Sequence, residues 1–219
     1  MNVNFIWIGN HLPPKLESNY KLCRKLNPQH AVRLFNTKEL ESLANRYGIS
    51  EVYSQVSFVN KINLAKYLTL FYYPGVVSDI DIIWEKPIDM LMRHPVNTFY
   101  NNSFWPNHQP IHSNPDFISC VRPHTFTYKG EKVYMFDDHL IYSTSTAIKK
   151  VIDCSLKKWK TKEYFKSIQF EPFGPLSITQ LIYDGKIRAN MWFDKQCQHK
   201  GWYCNHTHQR LWDPTNTLM

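Results

Sequence analysis

The sequence has no long apolar run: none of its 219 residues lies in a stretch approaching the roughly 18 consecutive apolar residues that a membrane-spanning helix needs. The N-terminus also lacks a basic region followed by a long apolar segment, which is typical of a secretion signal. Internal repeats, linkers and low-complexity segments are absent as well. These absences predict a soluble, cytoplasmic protein that forms one domain over residues 1–219.

Paired cysteine motifs are also missing. The five cysteines are odd in number and scattered, with no CxxC spacing, at Cys23, Cys120, Cys154, Cys197 and Cys204. This spacing argues against a structural zinc site or a redox dithiol, both of which need closely spaced ligands. We therefore expect reduced thiols in a cytosolic protein.

The charge balance favours anionic partners, because the net charge is +8 and the pI is about 9.2. Lysines are concentrated in 149–166, but they lack interleaved arginine and glycine, and no zinc finger or RNA-binding signature is present. A solvated helix face explains them, so we expect no nucleic-acid partner. The aromatic content of 15% supplies rings suited to nucleobases and sugars, although most of these rings belong to the core.

Helices and strands alternate along the predicted chain. A first strand lies within 1–10, and a second within 30–35. Helices are predicted at 20–26, 37–47, 58–73, 147–165 and 176–183, with Thr37 as a candidate cap of the second of them. A buried strand starts at Val76, and another is expected at 131–136. This alternation predicts an α/β sandwich.

Two carboxylates interrupt the buried strand that follows Pro74-Gly75. In the sequence Val-Val-Ser-Asp-Ile-Asp-Ile-Ile-Trp, Asp79 and Asp81 are two residues apart, so in a strand both point to one face. A buried carboxylate needs a cation, and two oxygen ligands near a strand end suit Mg²⁺ or Mn²⁺ shared with a phosphate-bearing substrate. A salt bridge to a lysine or arginine is the alternative. The pair predicts an enzyme with a metal site.

Four segments, in order along the chain, are similar to one known family. They are 5–9 (Phe-Ile-Trp-Ile-Gly), 63–81, 173–175 (Phe-Gly-Pro) with Thr179, and the group of His206, His208 and Trp212. They resemble the DXD glycosyltransferases, which include yeast-like mannosyltransferases and clostridial toxin glucosyltransferases. The resemblance implies a single-domain GT-A fold, a Rossmann-like sandwich whose mixed central sheet is flanked by helices.

This resemblance also implies the reaction. A hexose or deoxyhexose would pass from a nucleotide sugar, with UDP favoured over GDP, to a glycan or glycoprotein hydroxyl with retention, using Mn²⁺ or Mg²⁺. The chain is also similar to chlorovirus glycosyltransferase domains that modify a major capsid protein. That similarity implies a viral capsid acceptor in the host cytoplasm.

The donor-binding residues carried over from the resemblance are Trp7, Ile8, Gly9, Asn63 and Lys66. An aromatic residue at the end of a first strand lies where open α/β sheets bind ligands, so Trp7 either stacks on the base or belongs to the core. The family has Asp and Arg where this chain has Asn63 and Lys66. Asn still hydrogen-bonds a hydroxyl, but Lys supplies a point charge instead of a bidentate fork, so the donor sugar can differ from glucose or mannose.

Metal ligation is assigned to Asp79, Asp81, His206 and His208. Asp81 is the favoured direct ligand, and Asp79 reaches the ribose or the metal through water. The two imidazoles suit Mn²⁺ better than Mg²⁺. The diphosphate leaving group develops negative charge that a divalent ion stabilises, so both carboxylates are candidate catalytic residues.

A second acidic pair, Asp137-Asp138, follows the strand predicted at 131–136. By the resemblance, Asp138 contacts the donor sugar; a bridge to a lysine on the following helix is the alternative. An inverting reaction would need a carboxylate as general base, for which Asp138 and Glu171 are candidates. Two other functions stay open: a nucleotide- or carbohydrate-binding module without turnover, and a metal-dependent phosphoesterase or nuclease.

Overall fold

The computed structural model of the protein describes residues 1–93, 114–163, 172–192 and 204–206. Within these ranges, seven helices and eight strands follow the chain in the order β1 Asn2–Ile6, α1 Pro14–Leu26, β2 Ala31–Phe35, α2 Thr37–Tyr47, α3 Ser50–Gln55, α4 Phe58–Tyr72, β3 Gly75–Ser78, β4 Ile82–Trp84, α5 Ile88–Arg93, β5 Phe117–Tyr128, β6 Glu131–Ser143, α6 Ser145–Thr161, α7 Pro175–Tyr183, β7 Ala189–Trp192 and β8 Cys204–His206.

Six of the strands form one mixed sheet in the order β2-β1-β3-β6-β5-β7. β2, β1 and β3 run parallel, β6 is antiparallel to both β3 and β5, and β5 is parallel to β7. β4 and β8 form a second, antiparallel pair. Helix α4 packs on β1 and β3, while α1 contacts β2 and β4, so helices flank the sheet. The α/β prediction with a mixed central sheet is confirmed.

Helix α4 forms the centre of the core. Ten of its residues are buried, from Val59 to Leu70, so it is covered on nearly all sides. Its N-cap is Ser57, whose side chain accepts a hydrogen bond from the Asn60 backbone N–H. The helix ends at Tyr72, one residue short of the predicted 58–73. Its buried residues therefore pack against β1 and β3, and β3 leads into the acidic motif.

The turn after α4 depends on Gly75. Its φ is +143°, and a Cβ at this position would lie 2.3 Å from the Asn2 carbonyl oxygen of β1. Two side-chain amides of β1 hold the turn, because Asn4 donates to the Tyr73 carbonyl and Asn2 donates to the Pro74 carbonyl, each at 2.9 Å. The predicted break at this point is confirmed, and the close approach of β1 is the reason that glycine stands there.

Some element bounds differ from the prediction. Helix α1 begins at Pro14, not at residue 20, because proline at the first helical position lacks only an N–H that would have no partner there. Helix α2 is capped by Asn36, not by Thr37: the Asn36 side chain and Glu39 form a reciprocal capping box. Strand β6 continues through the second acidic pair instead of stopping at Phe136.

The cysteines do not all behave as expected. Cys23, Cys154 and Cys204 are free thiols, but Cys120 is disulfide-bonded, so the expectation of reduced thiols throughout is wrong at this position. In the described part of the chain, no helix is long and apolar enough to cross a bilayer.

Candidate functional site

The first acidic pair lies in a turn, not in a strand. β3 ends at Ser78 and β4 begins at Ile82, so Asp79, Ile80 and Asp81 connect the two strands. The Ile82 N–H donates to the Asp79 carbonyl at 3.1 Å and closes the turn. The prediction that strand alternation places both carboxylates on one face is therefore wrong, because the backbone is not extended there. The pair nevertheless sits at the carboxyl end of β3, where open α/β sheets bind ligands.

The two carboxylates differ in exposure. Asp81 is buried, at 5% exposed, whereas the Asp79 side chain is 26% exposed. The Asp79 N–H donates to the His139 carbonyl of β6 at 2.8 Å, which attaches the turn to the neighbouring strand. A buried carboxylate next to a more exposed one is a donor set suited to a divalent cation that keeps part of its shell for a substrate.

Lys66 is a cation that contacts the turn. Its ammonium lies 2.6 Å from Asp79 Oδ1 and donates to the Asp138 carbonyl at 3.1 Å, with only 4% of the side chain exposed. Burial alone would lower the pKa of Lys66, but the Asp138 and Asp79 carboxylates outweigh burial and raise it above its usual value. Lys66 thus joins α4, the turn and β6. The salt-bridge alternative holds for Asp79.

The second acidic pair, Asp137 and Asp138, belongs to β6 and lies near Lys66. Asp137 Oδ2 lies 3.2 Å from His139 Nδ1, and both side chains are buried. Burial opposes the charged imidazole, but the Asp137 carboxylate outweighs it and raises the pKa of His139. Asp138 is also buried, and its carboxylate lies near the Lys66 ammonium of α4. The carboxylates of this region are therefore accompanied by the Lys66 ammonium and by the His139 imidazole, whose charged form Asp137 favours.

The segment after β1 reaches the same edge of the sheet. β1 and β3 are parallel with Asn4 opposite Val77, so the residues after β1 lie beside the residues after β3. Trp7 is partly exposed, packs against the core, and donates its backbone N–H to the Phe35 carbonyl at 2.9 Å. Gly9 lies close to this indole, since a Cβ there would be 3.1 Å from Trp7 Nε1. Trp7 thus combines a core contact with an accessible surface.

Asn63 lies one helical turn before Lys66 on α4 and is 5% exposed. The helix thus presents an amide and an ammonium from the same side, as expected for residues three apart. Donor contact by Asn63, Lys66, Trp7 or Ile8 stays a prediction.

Sequence reasoning missed Asn19. This residue lies on α1, is 6% exposed, and donates from Nδ2 to the Ile80 carbonyl at 3.1 Å. It belongs to the buried side of α1 with Leu16 and Cys23. A polar residue at helical spacing on an otherwise apolar face was the available signal, because a buried amide needs a hydrogen-bond partner.

The C-terminal histidines are only partly placed. β8 pairs with β4 so that His206 is opposite Ile82, which puts the backbone of His206 beside the residue after Asp81. His208, Glu171 and Trp212 lie outside the described residues. Among the residues that are described, no group of three or more His, Cys, Asp or Glu side chains is arranged to hold a metal ion. Of the predicted metal ligands, the structure describes the side chains of Asp79 and Asp81. Their hard carboxylate oxygens fit Mn²⁺ or Mg²⁺ chemically.

Known proteins match this chain in sequence. Residues 13–98 match the family described as "Glycosyltransferase sugar-binding region containing DXD motif". The chain is similar to inositol phosphoceramide mannosyltransferase 1 of Schizosaccharomyces pombe, with 24% identity over 134 residues. This match covers 58% of the chain and 40% of the yeast protein, so the chain spans less than half of that relative's length.

Known structures match the fold. The PaToxG glycosyltransferase superposes with a TM-score of 0.54 at 17% identity, covering 84% of this chain and 69% of the other. The catalytic domain of alpha-toxin from Clostridium novyi superposes with a TM-score of 0.47 at 12% identity, covering 84% of this chain and 63% of the other. Residues 13–98 are therefore similar to the glycosyltransferases that carry a DXD-containing sugar-binding region, and the sheet and helices have the GT-A fold.

Proposed function

We propose that this protein is a metal-dependent enzyme that transfers a hexose or deoxyhexose from a nucleotide sugar to a hydroxyl of a glycan or glycoprotein. The observation that carries the proposal is the acidic turn between β3 and β4. It combines a buried carboxylate, Asp81, with a partly exposed one, Asp79, at the sheet edge that Trp7 also reaches. A nucleoside diphosphate needs a cation for its phosphates and a flat apolar surface for its base, and this edge offers residues for both.

The residues of this edge have separate roles in the proposal. The Trp7 ring stacks on the base, with the Gly9 backbone close enough to bound the same space. Asn63 donates to a sugar hydroxyl, and Asp138 contacts the sugar from β6. Asp81 holds the divalent ion together with His206 or His208, while Asp79 is oriented by Lys66 toward the ribose. A bound Mn²⁺ or Mg²⁺ would stabilise the negative charge that develops on the departing diphosphate.

The reaction breaks the bond between the anomeric carbon and the diphosphate oxygen. The acceptor hydroxyl oxygen forms the new bond to that carbon, and its proton passes to the departing nucleoside diphosphate. We propose UDP as the favoured nucleotide, with GDP as the alternative, and retention at the anomeric carbon. The yeast relative is named a mannosyltransferase, which supports a hexose donor. From the resemblance to chlorovirus glycosyltransferase domains, we predict a viral capsid protein as the acceptor.

A thermal-shift panel tests the proposal. The melting temperature is measured with UDP, GDP and their sugars, each with and without Mn²⁺. A donor that binds only the folded state at 100 times its Kd stabilises by about 2.7 kcal/mol, so the correct nucleotide raises the melting temperature by several degrees when Mn²⁺ is present. No metal-dependent response to any nucleotide would refute the proposal. Cleavage of DNA, RNA or simple phosphate esters without preference for nucleotide sugars would support the phosphoesterase instead.

A further inference from the structure

We propose that Asn19 of α1 is a positioning residue that holds the acidic turn in the conformation needed to bind the metal and the nucleotide. The inference rests on the proposed function, because it assigns a purpose to the shape of that turn. Its basis is the hydrogen bond from Asn19 Nδ2 to the Ile80 carbonyl, 3.1 Å long and buried between α1 and the turn.

The bonded carbonyl lies at a critical position. The Ile80 carbonyl belongs to the peptide group that joins Ile80 to Asp81, and a peptide group is planar. Fixing the carbonyl direction therefore fixes the N–H of Asp81 and the start of its backbone. The direction in which the Asp81 side chain leaves the turn depends on this plane. Asn19 thus acts on Asp81 through the peptide group that precedes it.

Other bonds hold the turn at its ends. The Asp79 N–H donates to the His139 carbonyl, and the Ile82 N–H donates to the Asp79 carbonyl. Lys66 holds the Asp79 side chain. The contacts to β6 and α4 both attach Asp79, the first residue of the turn, whereas Asn19 attaches its middle peptide to α1. The turn is therefore attached to β6, α4 and α1.

The choice of residue supports a role beyond helix formation. Asparagine has low helix propensity, and position 19 lies on a buried side shared with Leu16 and Cys23, where an apolar residue would pack without a polar group to satisfy. An asparagine amide is useful there only if its donor has a partner. The partner is the carbonyl between the two acidic residues.

Asn4 offers a matched control. It is also buried, at 0% exposed, and its Nδ2 donates to a backbone carbonyl, that of Tyr73, at 2.9 Å. Tyr73 precedes β3, whereas the acidic turn follows it, so the two amides hold opposite ends of the same strand. Replacing either residue by leucine removes one buried hydrogen bond of the same kind.

The test compares Asn19→Leu with Asn4→Leu in the whole chain. Affinity for UDP and for GDP is measured by calorimetry with and without Mn²⁺. We expect Asn19→Leu to weaken Mn²⁺-dependent nucleotide binding by roughly tenfold, the change that corresponds to one lost hydrogen bond, while Asn4→Leu changes it less than about twofold. If either leucine variant fails to fold, Asn19→Asp and Asn4→Asp, which replace the donor by an acceptor, take their place.

A second measurement needs neither metal nor nucleotide. Hydrogen exchange of the Ile82 amide, which closes the turn, is followed in the unliganded protein. We expect roughly tenfold faster exchange in the Asn19 variant and no change in the Asn4 variant.

Each outcome decides the inference. Unchanged affinity in Asn19→Leu, or equal weakening in both variants, would overturn it while leaving the proposed function in place. If the wild-type chain shows no Mn²⁺-dependent binding of either nucleotide, the proposed function fails. In that case the exchange rate of the Ile82 amide alone decides whether Asn19 holds the turn.

Discussion

Replacing Lys66 by methionine is expected to destabilise the fold strongly. The substitution keeps the length of the apolar stem and removes the ammonium that lies 2.6 Å from Asp79, with 4% and 26% of the two side chains exposed. Removing one partner of a buried ion pair costs about 3–5 kcal/mol, and because Asp79 is a quarter exposed we expect the lower end, about 3 kcal/mol. With a urea dependence of about 2–3 kcal/mol per molar, the unfolding midpoint falls by about 1–1.5 M.

A double-mutant cycle separates the ion pair from simple packing. Adding Asp79→Asn to Lys66→Met removes the charge left behind, so the double variant is expected to lose less stability than the sum of the single variants by at least about 1 kcal/mol. The exposed pair of Lys21 and Glu17 is the control: its atoms are 2.7 Å apart, but 67% and 47% of the side chains are exposed. Lys21→Met should cost under about 1 kcal/mol. Equal losses in Lys66→Met and Lys21→Met, or additive effects in the cycle, would refute the reasoning.

Two further predictions concern the turn and the thiols. Gly75→Ala is expected to lower the free energy of unfolding by about 3 kcal/mol or more, because its Cβ would lie 2.3 Å from the Asn2 carbonyl oxygen, whereas Gly48→Ala, with a φ of +80° in open space, should cost about 1 kcal/mol. Urea unfolding measures both, and equal losses would contradict the account of the turn. Burial raises the pKa of the Cys23 thiol to about 12, so its contribution to stability is fully present below the unfolded pKa of about 8.5 and is lost as pH rises toward the folded pKa. Between pH 8 and pH 10 we expect this thiol to account for a loss of about 2 kcal/mol, which Cys23→Ala should abolish; an unchanged pH slope in that variant would show that the thiol is not buried as described.

Local signals were sufficient for much of the fold. Periodic apolar residues identified α4 and α6, and the break at Pro74-Gly75 located the turn before β3. These features depend on residues that are neighbours in the sequence, so the sequence alone predicts them. The sequence predicts the first helix only from residue 20, whereas α1 begins at Pro14, because proline is favoured at a first helical position.

The remaining features depend on contacts between distant residues. Strand β6 runs through Asp137 and Asp138, which β-propensity disfavours, because Lys66 of α4 and His139 compensate their charges. For the acidic pair, the sequence predicts a lysine or arginine partner as the alternative to a metal, but it does not identify Lys66 as the partner of Asp79. The bond from Asn19 to the acidic turn joins elements 61 residues apart and has no local signature except a polar residue on a buried helix face.

The most direct test of the central claim is release of nucleoside diphosphate from UDP- and GDP-sugars, measured with and without Mn²⁺ for the wild-type chain and two variants. Asp81→Asn removes the buried carboxylate of the acidic turn. Asp116→Asn is the control, because Asp116 pairs with Arg188 beside the start of β5, at the opposite end of the sheet. We predict Mn²⁺-dependent release by the wild-type chain and by Asp116→Asn, and at least about a hundredfold less by Asp81→Asn. Release that is independent of Mn²⁺, or that is unchanged in Asp81→Asn, would contradict the account.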